Sequence, residues 1–225
     1  DSNEKVDNRA WFGFLDLLKK HRKRRPINGI ILALSMEELS RQSNVERERN
    51  AAAISNRIQE LHERLGVRFP IYLMFTKCDL MAGFMEFFGN LDRNDRAQVW
   101  GFTYGLKDDP IERFNEEFSL LQNQLEARLV QRLQDERDVS RRELIYNFPS
   151  QVAATREGIE EFLQRVFKPS RFTTKQMLRG VYFTSGTQEG TPIDRVLGTL
   201  ARTFGVEGRA ASVASSRGKS FFLSR

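Results

Sequence analysis

The residues best placed to do chemistry are Thr76, Lys77, Cys78 and Asp79, which end the apolar run FPIYLMF at residues 69–75. Such a run reads as a strand buried on both faces, as in a parallel sheet. A Lys and an Asp two residues apart, just past the C-terminal end of that strand, stand where open α/β sheets bind ligands. Guanine-nucleotide-binding domains read their base with this geometry, the Lys stem lying along the purine ring and the carboxylate accepting two parallel hydrogen bonds from the base edge. The same four residues also fit an ordinary strand end with two solvated charges. A second loop, Ser185-Gly186, follows a later apolar run, LRGVYFT at residues 178–184. Its small residues would let a backbone N–H reach the guanine carbonyl, where a larger side chain would crowd the base. The candidate base-reading set is therefore Thr76, Lys77, Asp79, Ser185 and Gly186. Each loop alone is a weak signal; the two in this order, each after a strand, are more specific.

The phosphate half of such a site is missing from the sequence. No G-x-x-x-x-G-K-[ST] and no D-x-x-G occurs, so nothing cradles phosphates or supplies a hydroxyl ligand to Mg²⁺. Triphosphate hydrolysis then lacks its electrostatic machinery, and no residue is assigned a catalytic role. The single cysteine, Cys78, excludes an internal disulfide. His21 and His62 lie far apart without ligand-like neighbours, so no metal site is expected.

Positioning these loops requires alternating elements, and the periodicity supplies them. Val6, Ala10, Phe14 and Leu17, with Trp11, Leu15 and Leu18, repeat at helical spacing until Pro26. Residues 27–34 (INGIILAL) predict a strand. Ser35 and Glu38 have capping-box spacing and predict a helix that runs on to a C-cap at Gly66. Residues 81–91 are Phe-rich and read as a short helix with irregular flanks near the mouth of the site. Residues 92–106 are ambiguous. From Pro110, steps of three and four through Phe114, Phe118, Leu121, Leu125 and Leu129 predict a long helix. A second helical stretch over residues 140–167, interrupted at Pro149, completes an antiparallel pair. Thr191, Pro192 and Asp194 open a further helix carrying Val196, Leu200 and Phe204.

The chain holds 36 Lys and Arg against 30 Asp and Glu, a net charge of +6. Six of the cations fall between Lys19 and Arg25. That run favours a polyanion: nucleic acid, anionic lipid headgroups or an acidic partner; a membrane-proximal chain would make headgroups the better version and nucleic acid the weaker. The alternative is a helix C-terminus, where the macrodipole favours cations. No apolar run in the sequence approaches the length needed to span a bilayer.

Four blocks carry a resemblance to a known family: WFGFLDLLKKH (residues 11–21), RPINGIILALSMEEL (25–39), FPIYLMFTKCDLMAGFMEFF (69–88) and GVYFTSGTQEGTPIDRVL (180–197). With them the chain resembles the cytoplasmic domain of the IcmF/TssM inner-membrane proteins of bacterial type VI secretion systems. The resemblance implies an α/β fold with a Ras-like, P-loop-NTPase type of parallel sheet and an inserted helical subdomain, the N-terminal P-loop part missing. The expected division is an NTPase-like domain over 1–108 and 171–204, a helical insertion over 109–170 and a flexible basic tail over 205–225. It further implies a scaffold on the cytoplasmic face of the inner membrane, partnered by membrane-complex and baseplate proteins and oligomeric in the assembled complex. The alternative it leaves open is a domain that binds or hydrolyses GTP or ATP with Mg in the complete protein; this chain alone is expected to hold no cofactor. Thr76, Lys77, Asp79, Ser185 and Gly186 match the family's base-reading positions. Thr76 stands where Ras-like GTPases carry Asn.

Overall fold

The computed structural model describes residues 2–169, 176–186 and 220–223. Four strands form one sheet: β1 (Ile30–Ser35), β2 (Pro70–Thr76), β3 (Gly101–Thr103) and β4 (Met177–Phe183). Their order is β1-β2-β4-β3. β1, β2 and β4 run parallel, and β3 joins antiparallel to β4 at the edge. The expected parallel neighbours are thus present, but the sheet as a whole is mixed. β3 falls in the ambiguous stretch and is only three residues long, too short to announce itself by alternation.

The eight α-helices among the described residues are α1 (Ser2–His21), α2 (Met36–Arg41), α3 (Asn44–Leu65), α4 (Phe84–Phe88), α5 (Arg93–Arg96), α6 (Pro110–Asp135), α7 (Val139–Ala153) and α8 (Arg156–Phe167). The single helix expected between β1 and β2 is two. Ser35 does cap α2, accepting from the Glu38 N–H, but the chain breaks at Gln42. The full capping box belongs to Ser43 and Glu46, which satisfy each other's backbone N–H at the start of α3. Gly66 closes α3 in the left-handed region at φ 64°, as its lack of a Cβ suits. The break in the helical middle comes at Ala154 and Thr155 rather than at Pro149, which sits inside α7.

One face of the sheet carries the core. Ile71, Leu73 and Phe75 of β2 are buried, in register with Ile30, Leu32 and Leu34 of β1. The alternate residues of β2, Tyr72 and Met74, are half-buried, so the strand is not sealed on both faces. Phe114 and Phe118 of α6 pack on Phe102 and Phe183, with ring centroids 6.2 and 6.4 Å apart. α6, α7 and α8 contribute to the same hydrophobic cluster as the strands and α3; the stretch read as an insertion has no separate core. α1 lies along α3: the Trp11 indole donates to Glu60 at 3.0 Å, and the Arg64 guanidinium sits 4.9 Å above the Phe12 ring.

Of residues 205–225, expected to form a basic tail, the structure describes 220–223. Phe221 and Phe222 are buried in the core, a correction for these two residues; their apolar pull outweighs the Gly, Ser and Arg that dominate the local composition. The helix expected from Thr191 lies outside the described residues. No helix among the described residues is long and apolar enough to cross a membrane.

Candidate functional site

The loops after β2 and β4 meet, because their strands are neighbours. The Thr184 N–H donates to the Phe75 carbonyl at 2.8 Å, and the Cys78 N–H returns a bond to the Thr184 carbonyl at 3.2 Å. The five residues singled out in the sequence therefore gather at one end of the sheet. Thr76 ends β2, its hydroxyl donating to the Leu34 carbonyl at 3.2 Å.

Lys77 turns the chain. It takes a left-handed conformation, φ 58° and ψ 33°, that a side-chain-bearing residue adopts at a cost of about 1–3 kcal/mol. Residues 78–80 then make a single 3₁₀ turn, which tucks Cys78 and Asp79 inward. The Lys77 ammonium pairs with Glu37 of α2 at 3.6 Å. Beside it, Glu37, Ser40, Lys77, Met81 and Gln151 bound a void of about 10 Å³, room for one water and far short of a purine.

Asp79 is 9% exposed and Ser185 fully buried. Burial pushes the Asp79 carboxyl above the usual carboxylate range; hydrogen bonds from Ser185 and its own backbone, and the Lys77 charge, pull the other way. One of its oxygens, Oδ1, has no hydrogen-bond partner. The Cys78 thiol, also buried, is pushed well up by loss of solvation.

The Ser185-Gly186 loop is engaged from its other side. Ser185 and Phe221 exchange both backbone hydrogen bonds, N–H to carbonyl at 3.0 and 2.8 Å. The Phe222 N–H donates to the Arg96 carbonyl at 2.6 Å, and the Arg96 guanidinium lies 5.6 Å from the Phe221 ring centroid. The two rings close an aromatic cluster: Phe221 meets Phe84 edge-on at 5.4 Å, Phe222 meets Phe88 at 5.0 Å, and Trp100 meets Phe183 at 5.0 Å. Among the described residues, Lys77 and Phe222 are the two non-glycines with positive φ. Both stand at this junction, held there by the contacts just given. Gly83, at φ 85°, lets α4 approach α7, since a Cβ there would lie 2.3 Å from the Leu144 carbonyl oxygen.

For a guanine nucleotide the fit is divided. The orphaned Asp79 Oδ1 suits a base edge with two N–H donors. The Ser185 N–H, however, is spent on Phe221, and the face of Lys77 toward α2 has no space for a ring. A roomier cavity, about 280 Å³, opens one strand away at the end of β1, lined by Leu34, Ser35, Gln42, Arg47, Ile54 and Phe162. Arg47 Nε is buried without a partner. No shared sequence motif marks these residues as a site, since they come from β1, the end of α2, α3 and α8. Among the described residues no group of three or more His, Cys, Asp or Glu is placed to hold a metal ion.

No solved structure matches the chain. A curated relative, "Type VI secretion system component TssM1" of Pseudomonas aeruginosa, is 53% identical over 230 residues, covering 100% of this chain and 21% of the relative. The chain thus spans about a fifth of the length of the curated relative it matches. The family model of the IcmF-related N-terminal domain matches residues 4–225. With nearly the whole chain covered, the protein belongs to the IcmF-related N-terminal domain family.

Proposed function

We propose that this chain is a scaffold domain of a type VI secretion system, built on a Ras-like nucleotide-binding sheet whose base-reading loops now serve architecture. The observation that carries this reading is the junction of Ser185 with Phe221. It joins the loop after β4 to the chain's C-terminal residues, while Asp79 is withdrawn beneath the same loop and Lys77 is tied to α2. The Ser185 N–H and the Lys77 ammonium, which a nucleotide would need, are spent within the protein. In the complete protein the domain stands on the cytoplasmic face of the inner membrane and links the membrane complex to baseplate proteins.

The surface for such partners is supplied by α6 and α7, which expose Leu120, Val130, Val139 and Tyr146. Deleting these helices would remove Phe114, Phe118 and Phe148 from the core, so the test uses surface substitutions. Leu120→Ser, Val130→Ser and Tyr146→Ser together should leave the thermal midpoint within a few degrees and abolish co-purification with secretion-system partners. Unchanged co-purification sinks these helices as the docking surface.

A second reading has one observation in its favour. The unpartnered Asp79 Oδ1 supports a domain that binds GTP, or ATP, with Mg once the complete protein supplies phosphate-binding residues. Thr76, Lys77, Asp79, Ser185 and Gly186 would then hold the base. Nucleotide binding that depends on Asp79 separates this reading from the first.

A further inference from the structure

We infer that the outer face of α1, with the loop that follows it, is a docking surface for an anionic lipid bilayer. α1 is two-faced. Trp11, Leu15 and Leu18 turn toward α3, whereas Ala10, Gly13, Phe14, Leu17, Lys20 and His21 share the exposed side. Phe14 is 52% and Leu17 56% exposed, large apolar groups that a helix on an aqueous surface has no reason to present side by side.

The charge beside them is unopposed. Every residue from Lys19 to Arg25 is exposed, and no Asp or Glu occurs between Leu17 and Met36. Lys19 is fastened to the Arg64 carbonyl at 2.9 Å. Asp16, the nearest carboxylate in sequence, is turned to Arg64 at 3.7 Å. Among the described residues none of Lys20, Arg22, Lys23, Arg24 and Arg25 has a carboxylate partner. Five free cations therefore follow directly on an exposed Phe and Leu. Lining up cations at a helix C-terminus accounts for Lys19, Lys20 and His21; it does not account for the four beyond the helix end or for the apolar pair.

Both features match one partner. A bilayer rich in anionic headgroups attracts each cation near its surface, and its acyl boundary accepts Phe and Leu from a helix lying in the interface plane. A nucleic acid would use the cations alone and leave Phe14 and Leu17 in water.

Flotation with vesicles tests the surface, using about 30 mol% phosphatidylserine in phosphatidylcholine at about 0.1 M salt, with pure phosphatidylcholine as the control. The chain should float with the anionic vesicles and not with the control. Neutralising Lys20, Lys23 and Arg24 to Gln should weaken binding about 100-fold, at about fivefold per cation. Phe14→Ser with Leu17→Ser should weaken it about tenfold or more while leaving near-ultraviolet circular dichroism unchanged. Absence of the wild-type chain from the anionic vesicles overturns the inference. So does full vesicle binding by the Phe14/Leu17 variant together with tight, steeply salt-dependent binding to duplex DNA, which would mark a generic polyanion surface.

Discussion

Replacing Phe221 with Ala puts a number on the junction between the C-terminal residues and the sheet. The Phe221 side chain is fully buried; it meets Phe84 edge-on at 5.4 Å and has the Arg96 guanidinium 5.6 Å from its centroid. Truncating a buried Phe costs about 3–5 kcal/mol through lost transfer energy and the cavity left behind. The Arg96 contact adds about 0.5–1 kcal/mol at most. The backbone exchange with Ser185 survives the substitution, so the loss is a side-chain term. In urea unfolding, with a slope of about 2–3 kcal/mol/M, the midpoint should fall by about 1–2.5 M. Phe222→Ala, at a site 8% exposed, should cost somewhat less. A loosely attached tail predicts a different result, since surface substitutions stay within about 0.5 kcal/mol. A Phe221→Ala midpoint shift that small would refute the anchored junction and the reading of the Ser185 loop that depends on it.

Gly83→Ala should destabilise by about 2–4 kcal/mol, because it combines a left-handed backbone with a clash against the Leu144 carbonyl; a loss below about 1 kcal/mol would mean that α4 and α7 do not approach so closely. Asp79→Asn should be neutral or stabilising at pH 7. The native carboxyl titrates above the unfolded one, so between those values the native state keeps a proton that the unfolded chain has released, and the wild type loses stability as pH climbs from about 4. The advantage of the Asn variant in urea unfolding should therefore shrink on acidification, and a variant less stable than wild type at pH 7 contradicts this. Cys78, buried with its thiol pKa raised, should resist Ellman's reagent in the native state and react once urea unfolds the chain; rapid native labelling would show that the turn after Lys77 opens readily.

Much of this arrangement can be read from residue order, and the rest is hidden for identifiable reasons. The strand ending at Thr76 and the strand before Ser185 announce themselves as apolar runs closed by polar residues, so the meeting of their loops follows from a parallel sheet. Gly66 marks its helix end because only the left-handed cap requires it. The split between α2 and α3 was concealed because Ser35 and Ser43 both carry a Glu three residues on, and only the second pair closes the full box. β3 escaped because a three-residue edge strand has no period to detect. Phe221 and Phe222 sit behind a stretch of Gly, Ser, Ala and Arg whose composition argues for solvent; their partners, Phe84, Phe88 and Trp100, lie more than a hundred residues earlier. The chemistry of Lys77 and Asp79 was legible as a residue pattern, whereas the burial of Asp79 and the pairing of the Ser185 loop with Phe221 were not.

Nucleotide affinity of the complete protein, measured calorimetrically for GTP and XTP in the wild type and in Asp79→Asn, distinguishes an architectural Asp79 from one that reads a base. If the base-reading loops are architectural, the substitution leaves the titrations unchanged, whether or not any nucleotide binds. If Asp79 reads a base, Asn must lose the bond from the exocyclic amino group of guanine, toward which it turns its own NH2, and favour xanthine, whose C2 carbonyl accepts from that amide. A tenfold or greater loss of GTP affinity with a gain for XTP would contradict the scaffold account.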